Sequence, residues 1–189
     1  MIKTLISILL SILLLALVGC GGQDESAEQA AESQTAITAP SMGLHTAVVM
    51  ADLDVIRQHI EAGSDLNVLE PTRASTPLIT AAALGKTEAA ILLIDAGADL
   101  NYQNNDGSTA LHTAAFFCRE EIVAALLAKG ADKTPRNNTG KTALEAVELP
   151  FEDVKEFYDA MQLALRPAGV VLDYDRIKAA RPRITQMLK

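Results

Sequence analysis

Thr76-Pro77-Leu78 recurs at an offset of 33 as Thr109-Ala110-Leu111-His112, and at a second offset of 33 as Thr142-Ala143-Leu144-Glu145. Ala96-Gly97-Ala98-Asp99 recurs as Lys129-Gly130-Ala131-Asp132 at the same offset of 33. Upstream, Ala62-Gly63-Ser64-Asp65-Leu66-Asn67 precedes Ala96-Gly97-Ala98-Asp99-Leu100-Asn101 by 34, and Leu44-His45 precedes Leu78-Ile79 by 34. One extra residue therefore sits in the loop 68–75. A fixed period of this length means one small helical unit laid down repeatedly, which cannot bury its apolar face alone. Three or more units must stack, and stability becomes roughly a sum of neighbour interfaces.

Each unit reads as two helices and a projecting loop. Pro77 suits a first helical turn, where its missing N–H is no loss. Thr76 and Thr109 occupy N-cap positions. Ala81, Ala82, Ala114 and Ala115 are small enough for adjacent helices to approach closely. Ile91, Leu92, Ile122, Val123, Leu126 and Leu127 recur at helical spacing and are expected in the core. Gly97 and Gly130 follow helices, where a left-handed backbone costs least. Asn104-Asn105-Asp106-Gly107 and Asn137-Asn138-Thr139-Gly140 carry turn chemistry.

These elements together resemble the ankyrin repeat, with its T-P-L-H segment and its G-A-D-x-N turn. The resemblance covers about Leu44 to Leu165, in copies near 44–73, 74–106, 107–139 and 140–165. It implies an all-α ankyrin-repeat solenoid of about four helix-turn-helix repeats joined by hairpin-like loops. The end copies are atypical, as capping units are. Copy one has Met42-Gly43 in place of the Thr-Pro pair, and copy four lacks the His and diverges after Val147.

The N-terminus reads as an address. Lys3 precedes an uncharged run from Leu5 to Val18. A spanning helix needs about 20 apolar residues, whereas this shorter run fits the apolar region of a signal peptide. The run ends in Leu17-Val18-Gly19-Cys20, which resembles the bacterial lipobox. That implies removal of residues 1–19 and lipidation of Cys20. The two or three acyl chains expected there would anchor effectively irreversibly, where one chain holds only marginally. Gly21 after the cysteine, rather than Asp, implies the outer membrane, facing the periplasm. Residues 20–43 then form a lipidated cysteine and a flexible linker with four acids (Asp24, Glu25, Glu28, Glu32) and no base.

Chemistry is sparse. The formal charge is −8 and aromatics are 4% of residues, a poor profile for nucleic acid. Two cysteines make no disulfide framework. The resemblance gives His45 and His112 a structural role, as local hydrogen-bonders. His59 is expected on the surface or partly buried. No metal or cofactor is expected. Gly140-Lys141-Thr142 echoes a phosphate loop, but Pro135 stands where its first glycine belongs. No nucleophile-elbow context occurs, so we expect no enzyme. Cys118 replaces the glycine that ends the first helix, Gly85 in copy two. It is either a buried inert thiol or, with Arg119 lowering its pKa, a redox-sensitive one.

The sharper expectation is a binding surface. By resemblance, partners dock on loop tips and on the exposed end of each first helix. Those ends are Val49 and Met50, Ala83 and Leu84, Phe116 and Phe117, with Leu149 and Pro150 in copy four. Contiguous apolar area marks interaction surfaces, and aromatic anchors often dominate binding. One Phe of the pair folding into the core is the alternative. The loop tips add Thr72, Arg73, Asn105, Asp106, Ser108, Asn138 and Lys141 as polar contacts. Residues 44–165 carry 9 bases against 18 acids, while 166–189 carry 6 bases against 2. The acidic stack would speed encounter with a basic protein partner. In 166–189, Tyr174, Ile177, Ile184 and Leu188 form a helical stripe that Pro182 should break or kink. It forms a capping helix received by Phe157, Tyr158, Met161 and Leu165, or a basic arm. The whole is expected to be a monomeric, envelope-tethered, non-enzymatic module that binds a protein partner. The alternatives are an immunity or inhibitor protein acting on an envelope toxin or enzyme, and a periplasmic oxidative-stress accessory using Cys118.

Overall fold

A computed structural model describes residues 38–189; the expected signal peptide (1–19), Cys20 and most of the expected linker (20–43) lie outside the described residues. The described elements are helical. They are α1 (Leu44–Met50), α2 (Leu53–Glu61), α3 (Pro77–Leu84), α4 (Thr87–Asp95), α5 (Ala110–Phe116), α6 (Glu120–Ala128), α7 (Ala143–Glu148), α8 (Phe151–Leu165), a 3-10 turn (Arg166–Ala168) and α9 (Tyr174–Leu188). Helices α1, α3, α5 and α7 pack in sequence as one layer. Helices α2, α4, α6 and α9 pack as the second, each against its first-layer partner.

The threonines start the first-layer helices as expected. Thr76, Thr109 and Thr142 accept from the backbone N–H three residues on, and Thr142 and Glu145 complete a reciprocal capping box. Such a cap is worth about 1 kcal/mol. Alanines 81, 82, 114 and 115 are fully buried, which lets the layers approach. In copy three Ile122, Val123 and Leu126 are buried but Leu127 is half-buried. In copy two the expectation of Ile91 and Leu92 as core is corrected. Leu93, Ala89 and Ala90 face inward, because they stand one repeat period before Leu126, Ile122 and Val123, and Ile94 is buried beside them although its counterpart Leu127 is half-buried.

The extra residue in the first loop has a local explanation. Asn104 Oδ1 accepts from the backbone N–H of Asp106 and Ser108, and Asn137 Oδ1 from those of Thr139 and Lys141. In copy one the equivalent residue is Glu70, whose carboxylate accepts from Thr72, Arg73 and Ser75. The loop closes Glu70 N–H to the Ser75 carbonyl at 3.1 Å, one residue wider than Asn104 to Ser108. A side chain one methylene longer thus spans a loop one residue longer. Burial opposes ionisation of Glu70, but its three backbone donors hold the carboxyl below its ordinary pKa.

Copy four departs from the expected layout. A left-handed residue ends the first helix in copies one to three: Ala51, Gly85 and Cys118, at φ 56°, 69° and 52°. Phe151 holds that position in copy four, after extended Leu149 and Pro150. The tight return is lost, so residues 151–165 do not supply the second helix of the repeat. That place is taken by α9, which packs on both α7 and α6. Residues 166–189 are therefore an integral layer element rather than a free arm. Ile177, Ala180, Ile184 and Leu188 are buried along its inward side.

Pro182 does not interrupt α9, contrary to expectation. An interior proline costs about 3 kcal/mol. Pro182 and Lys178, whose carbonyl loses its helical donor, both lie on the exposed side, and packing of the opposite stripe holds the helix. The basic character of the segment is met inside the chain. Arg183 pairs with Glu120 at 2.6 Å, and Lys178 with Glu152 and Lys189 with Glu148 at 3.2 Å. Such exposed pairs add little individually, so burial carries the docking.

Candidate functional site

The expected concave face divides into an open part and a covered part. At the end of α1, Val49 is 40% and Met50 65% exposed. At the end of α3, Ala83 and Leu84 are half-buried. At the end of α5 the pair Phe116–Phe117 is not the open anchor expected. Phe117 is only 6% exposed, because the left-handed turn at Cys118 sends it back into the stack. Its ring meets Phe116 edge-on at 5.2 Å.

Phe116 itself is covered from outside by α8. The Tyr158 ring stacks on it at 4.3 Å and the Phe157 ring meets it edge-on at 5.1 Å. The Tyr158 hydroxyl donates to the Phe116 carbonyl. Arg181 of α9, itself buried, donates Nη1 to that hydroxyl at 3.1 Å and Nη2 to the Leu149 carbonyl. Further along α8, Met161 Sδ lies 4.0 Å from Arg73 Nη1, on the first loop tip. Helix α8 thus runs from the fourth repeat back across the third to the loop ahead of the second. Its 15 residues span about 22 Å at 1.5 Å each. Sequence reasoning misses this occupant. The signal is there: Phe151, Val154, Tyr158, Met161 and Leu165 form one stripe on a helix longer than the second helices of the first three repeats.

The loop tips bond mainly to one another. Asn105 N–H donates to the Arg73 carbonyl and Asn138 N–H to the Asp106 carbonyl, each at 2.9 Å. Asn138 Nδ2 donates to the Asn105 carbonyl at 2.8 Å, and Arg73 Nε to Asp106 Oδ2 at 3.0 Å. Lys141 is half-buried and its carbonyl faces His112 Nε2 at 3.1 Å. These residues brace successive loops into one ribbon along the groove.

The histidines are structural partners. His112 accepts at Nδ1 from the Thr109 N–H at 3.3 Å while Nε2 faces the next loop. His45 Nε2 faces the Val68 carbonyl at 2.9 Å. His59 is buried, not on the surface, with Nε2 2.7 Å from the Met42 carbonyl and Nδ1 3.0 Å from Ser64 Oγ. Among the described residues no cluster of three His, Cys, Asp or Glu could hold a metal ion. Burial holds the His112 imidazole below its ordinary pKa of 6.5, outweighing its bond to the Lys141 carbonyl. The unfolded chain then binds the proton more readily, so stability rises with pH across this window. The contribution is intact above pH 6.5 and fades as pH falls below it. Melting temperatures at pH 7.5 and 5.5 should therefore differ less in His112→Gln than in the parent; an equal difference would assign the loss elsewhere.

Cys118 is fully buried, and burial pushes its thiol up to about 11 despite Arg181 and Arg176 nearby. Of the two readings of Cys118 the structure has the buried thiol, since desolvation outweighs the neighbouring cations. A maleimide reagent should label Cys118 at least about a thousandfold more slowly in the native chain than in denaturant, since burial blocks both ionisation and access. Native labelling within tenfold of the denatured rate would contradict this.

Residues 44–137 match the family model of ankyrin repeats, in three copies. No curated protein matches the chain. Among solved structures, the chain is similar to the ankyrin repeat domain of Bcl-3, described as a unique member of the IkappaB protein family. The match has 30% identity and a TM-score of 0.53, over 55% of this chain and 45% of the other. The chain thus spans less than half the length of that relative. The fold is an all-α ankyrin-repeat solenoid.

Proposed function

We propose that this stack of ankyrin repeats is a non-enzymatic module that grips a protein partner in the open end of its concave groove, over repeats one and two. The observation that carries the reading is apolar side chains left uncovered where the groove is free, Val49 and Met50 beside Leu84, while the chain covers Phe116 itself. Exposed contiguous apolar area on a repeat scaffold marks an interaction surface. The braced loop tips rigidify one wall, which lowers the ordering cost of binding. The acidic surface favours fast encounter with a basic partner, although α9 already neutralises Glu120, Glu148 and Glu152 in cis. Among the described residues no helix is long and apolar enough to cross a membrane. The lipobox-like Leu17-Val18-Gly19-Cys20 supports a lipid anchor at Cys20, and Gly21 rather than Asp after it favours the outer membrane, facing the periplasm.

Affinity capture from native envelope membranes tests the grip. The double variant Met50→Glu/Leu84→Glu should recover at least about tenfold less partner, because two charges would be desolvated in the contact. Met50 is largely solvent-facing but Leu84 is half-buried against the core, so Met50→Glu alone is the arm whose melting temperature should stay within a few degrees, and it should lower capture in the same direction. Unchanged capture by a folded variant would remove the groove from the reading. The anchor is tested separately: Cys20→Ser should move the protein from the membrane to the soluble fraction. Retention in the membrane would refute lipidation at that cysteine.

A further inference from the structure

We infer that α8 is a displaceable strap, and that the groove at repeat three accepts in its place an amphipathic helix of a partner bearing adjacent aromatic side chains. This rests on the reading that the concave face grips a protein, and it names both the chemistry of that partner and the gate it must pass.

Five observations converge. The segment 149–173 is inserted between α7 and α9, the two helices of one repeat, where the other repeats turn at once from first helix to second. The second layer is complete without α8, because α9 is seated by its own buried stripe, Ile177, Ala180, Ile184 and Leu188. The strap is only partly covered: along α8 Tyr158 alone is fully buried, Phe151, Val154, Met161 and Leu165 are half-covered, and its further ties are polar ones, Asp159 to the Tyr174 hydroxyl, Glu152 to Lys178, and Gln162 to the Leu172 N–H and the Val170 carbonyl. Its outward side mixes four acids, Glu152, Asp153, Glu156 and Asp159, with two large apolar side chains left in solvent, Phe157 at 51% and Leu163 at 73% exposed. Its ends are hinged, by Pro150 on one side and by Pro167 with left-handed Gly169, φ 73°, on the other.

The seat states what it takes. It offers the Phe116 ring for stacking, the Phe116 carbonyl at the end of α5 for a hydroxyl donor, and the Arg181 guanidinium for that same hydroxyl. A Phe-Tyr pair on a helix satisfies all three. A tethered strap competes at an effective concentration on the order of millimolar. A partner helix prevails by continuing along the groove to Leu84 and Met50, contacts beyond the strap's aromatic pair. The device therefore filters partners: a short aromatic peptide is refused, a longer helix is admitted.

Hydrogen exchange on the intact chain reads the strap directly. Amides of α8 should exchange at least 100-fold faster than those of α5 and α9, reporting local opening. A fluorescent peptide of residues 150–166 then reads the seat. It should bind full-length Tyr158→Ala at least tenfold tighter than the parent, and adding Phe116→Ser should remove the gain. Tyr158→Phe, which keeps the ring and loses the hydroxyl, should give a smaller gain and serves if the alanine variant does not fold. Protection of α8 equal to that of α9, or peptide binding no tighter in the folded Tyr158 variants, overturns the proposal. So does a dimer formed by exchange of α8 between copies. Loss of the strap with capture still sensitive to Met50→Glu/Leu84→Glu would leave the binding reading intact. The reverse pattern would retire that reading and keep the seat.

Discussion

Leu126→Ala is expected to destabilise the chain by about 3 kcal/mol, within the 2–5 kcal/mol range for emptying a buried leucine site. Leu126 is fully buried in α6, the second-layer helix between α4 and α9. In a stack whose stability is a sum of neighbour interfaces, a cavity there weakens the coupling on both sides. For a domain of this size that shifts the melting temperature by roughly 10 °C. Leu127→Ala is the internal control: half-buried one position along, it should cost clearly less. Equal losses at the two positions would mean that the phase of α6 is misassigned.

Arg181→Ala is expected to be of similar size, about 2–4 kcal/mol, from a stranded buried carbonyl together with the cavity left by the side chain. Arg181 is 6% exposed and donates to the Leu149 carbonyl and the Tyr158 hydroxyl. Removing it strands a buried carbonyl and leaves a cavity between α9 and the start of the inserted segment. Arg181→Met, which keeps the volume, should recover most of the loss, because it also removes the desolvated charge. The comparison separates packing from hydrogen bonding: a methionine variant as unstable as the alanine one would show that the bonds, not the volume, hold α9 in place.

Much of the architecture is legible because the repeat writes its rules at fixed offsets. Thr caps, the paired alanines and the glycines after helices are each dictated by backbone geometry, so they recur and can be read. The second-layer core of copy two reads out of phase because alanines 89 and 90 do the burying there, and small residues leave a weak hydrophobic pattern. The fourth repeat is hidden for a different reason. Its first helix is written in the repeat's code and ends at Glu148, but its second helix begins only at Tyr174, across an insertion with its own apolar stripe. Adjacent sequence suggests adjacent structure, and tertiary packing chooses α9 instead. Pro182 misleads in the same way, since local propensity gives way to a buried stripe on the opposite side.

The candidate site is half legible. Val49 and Met50 lie open, as the positions imply, but no local pattern tells that Phe117 turns inward at a left-handed cysteine or that α8 lies on Phe116. The loop-tip residues have the chemistry of contacts for a partner, yet their bonding from one repeat to the next is to each other. A residue type suited to recognition is equally suited to bracing, and spacing alone does not separate the two.

Site-specific photo-crosslinking in the native cells tests the central claim most directly. A photoreactive side chain at Met50 or at Leu84 should yield one and the same protein adduct, while the same group at Gln58, exposed on α2, should yield none. An adduct formed from Gln58 and absent from Met50 and Leu84 would place recognition on the opposite layer and contradict the account.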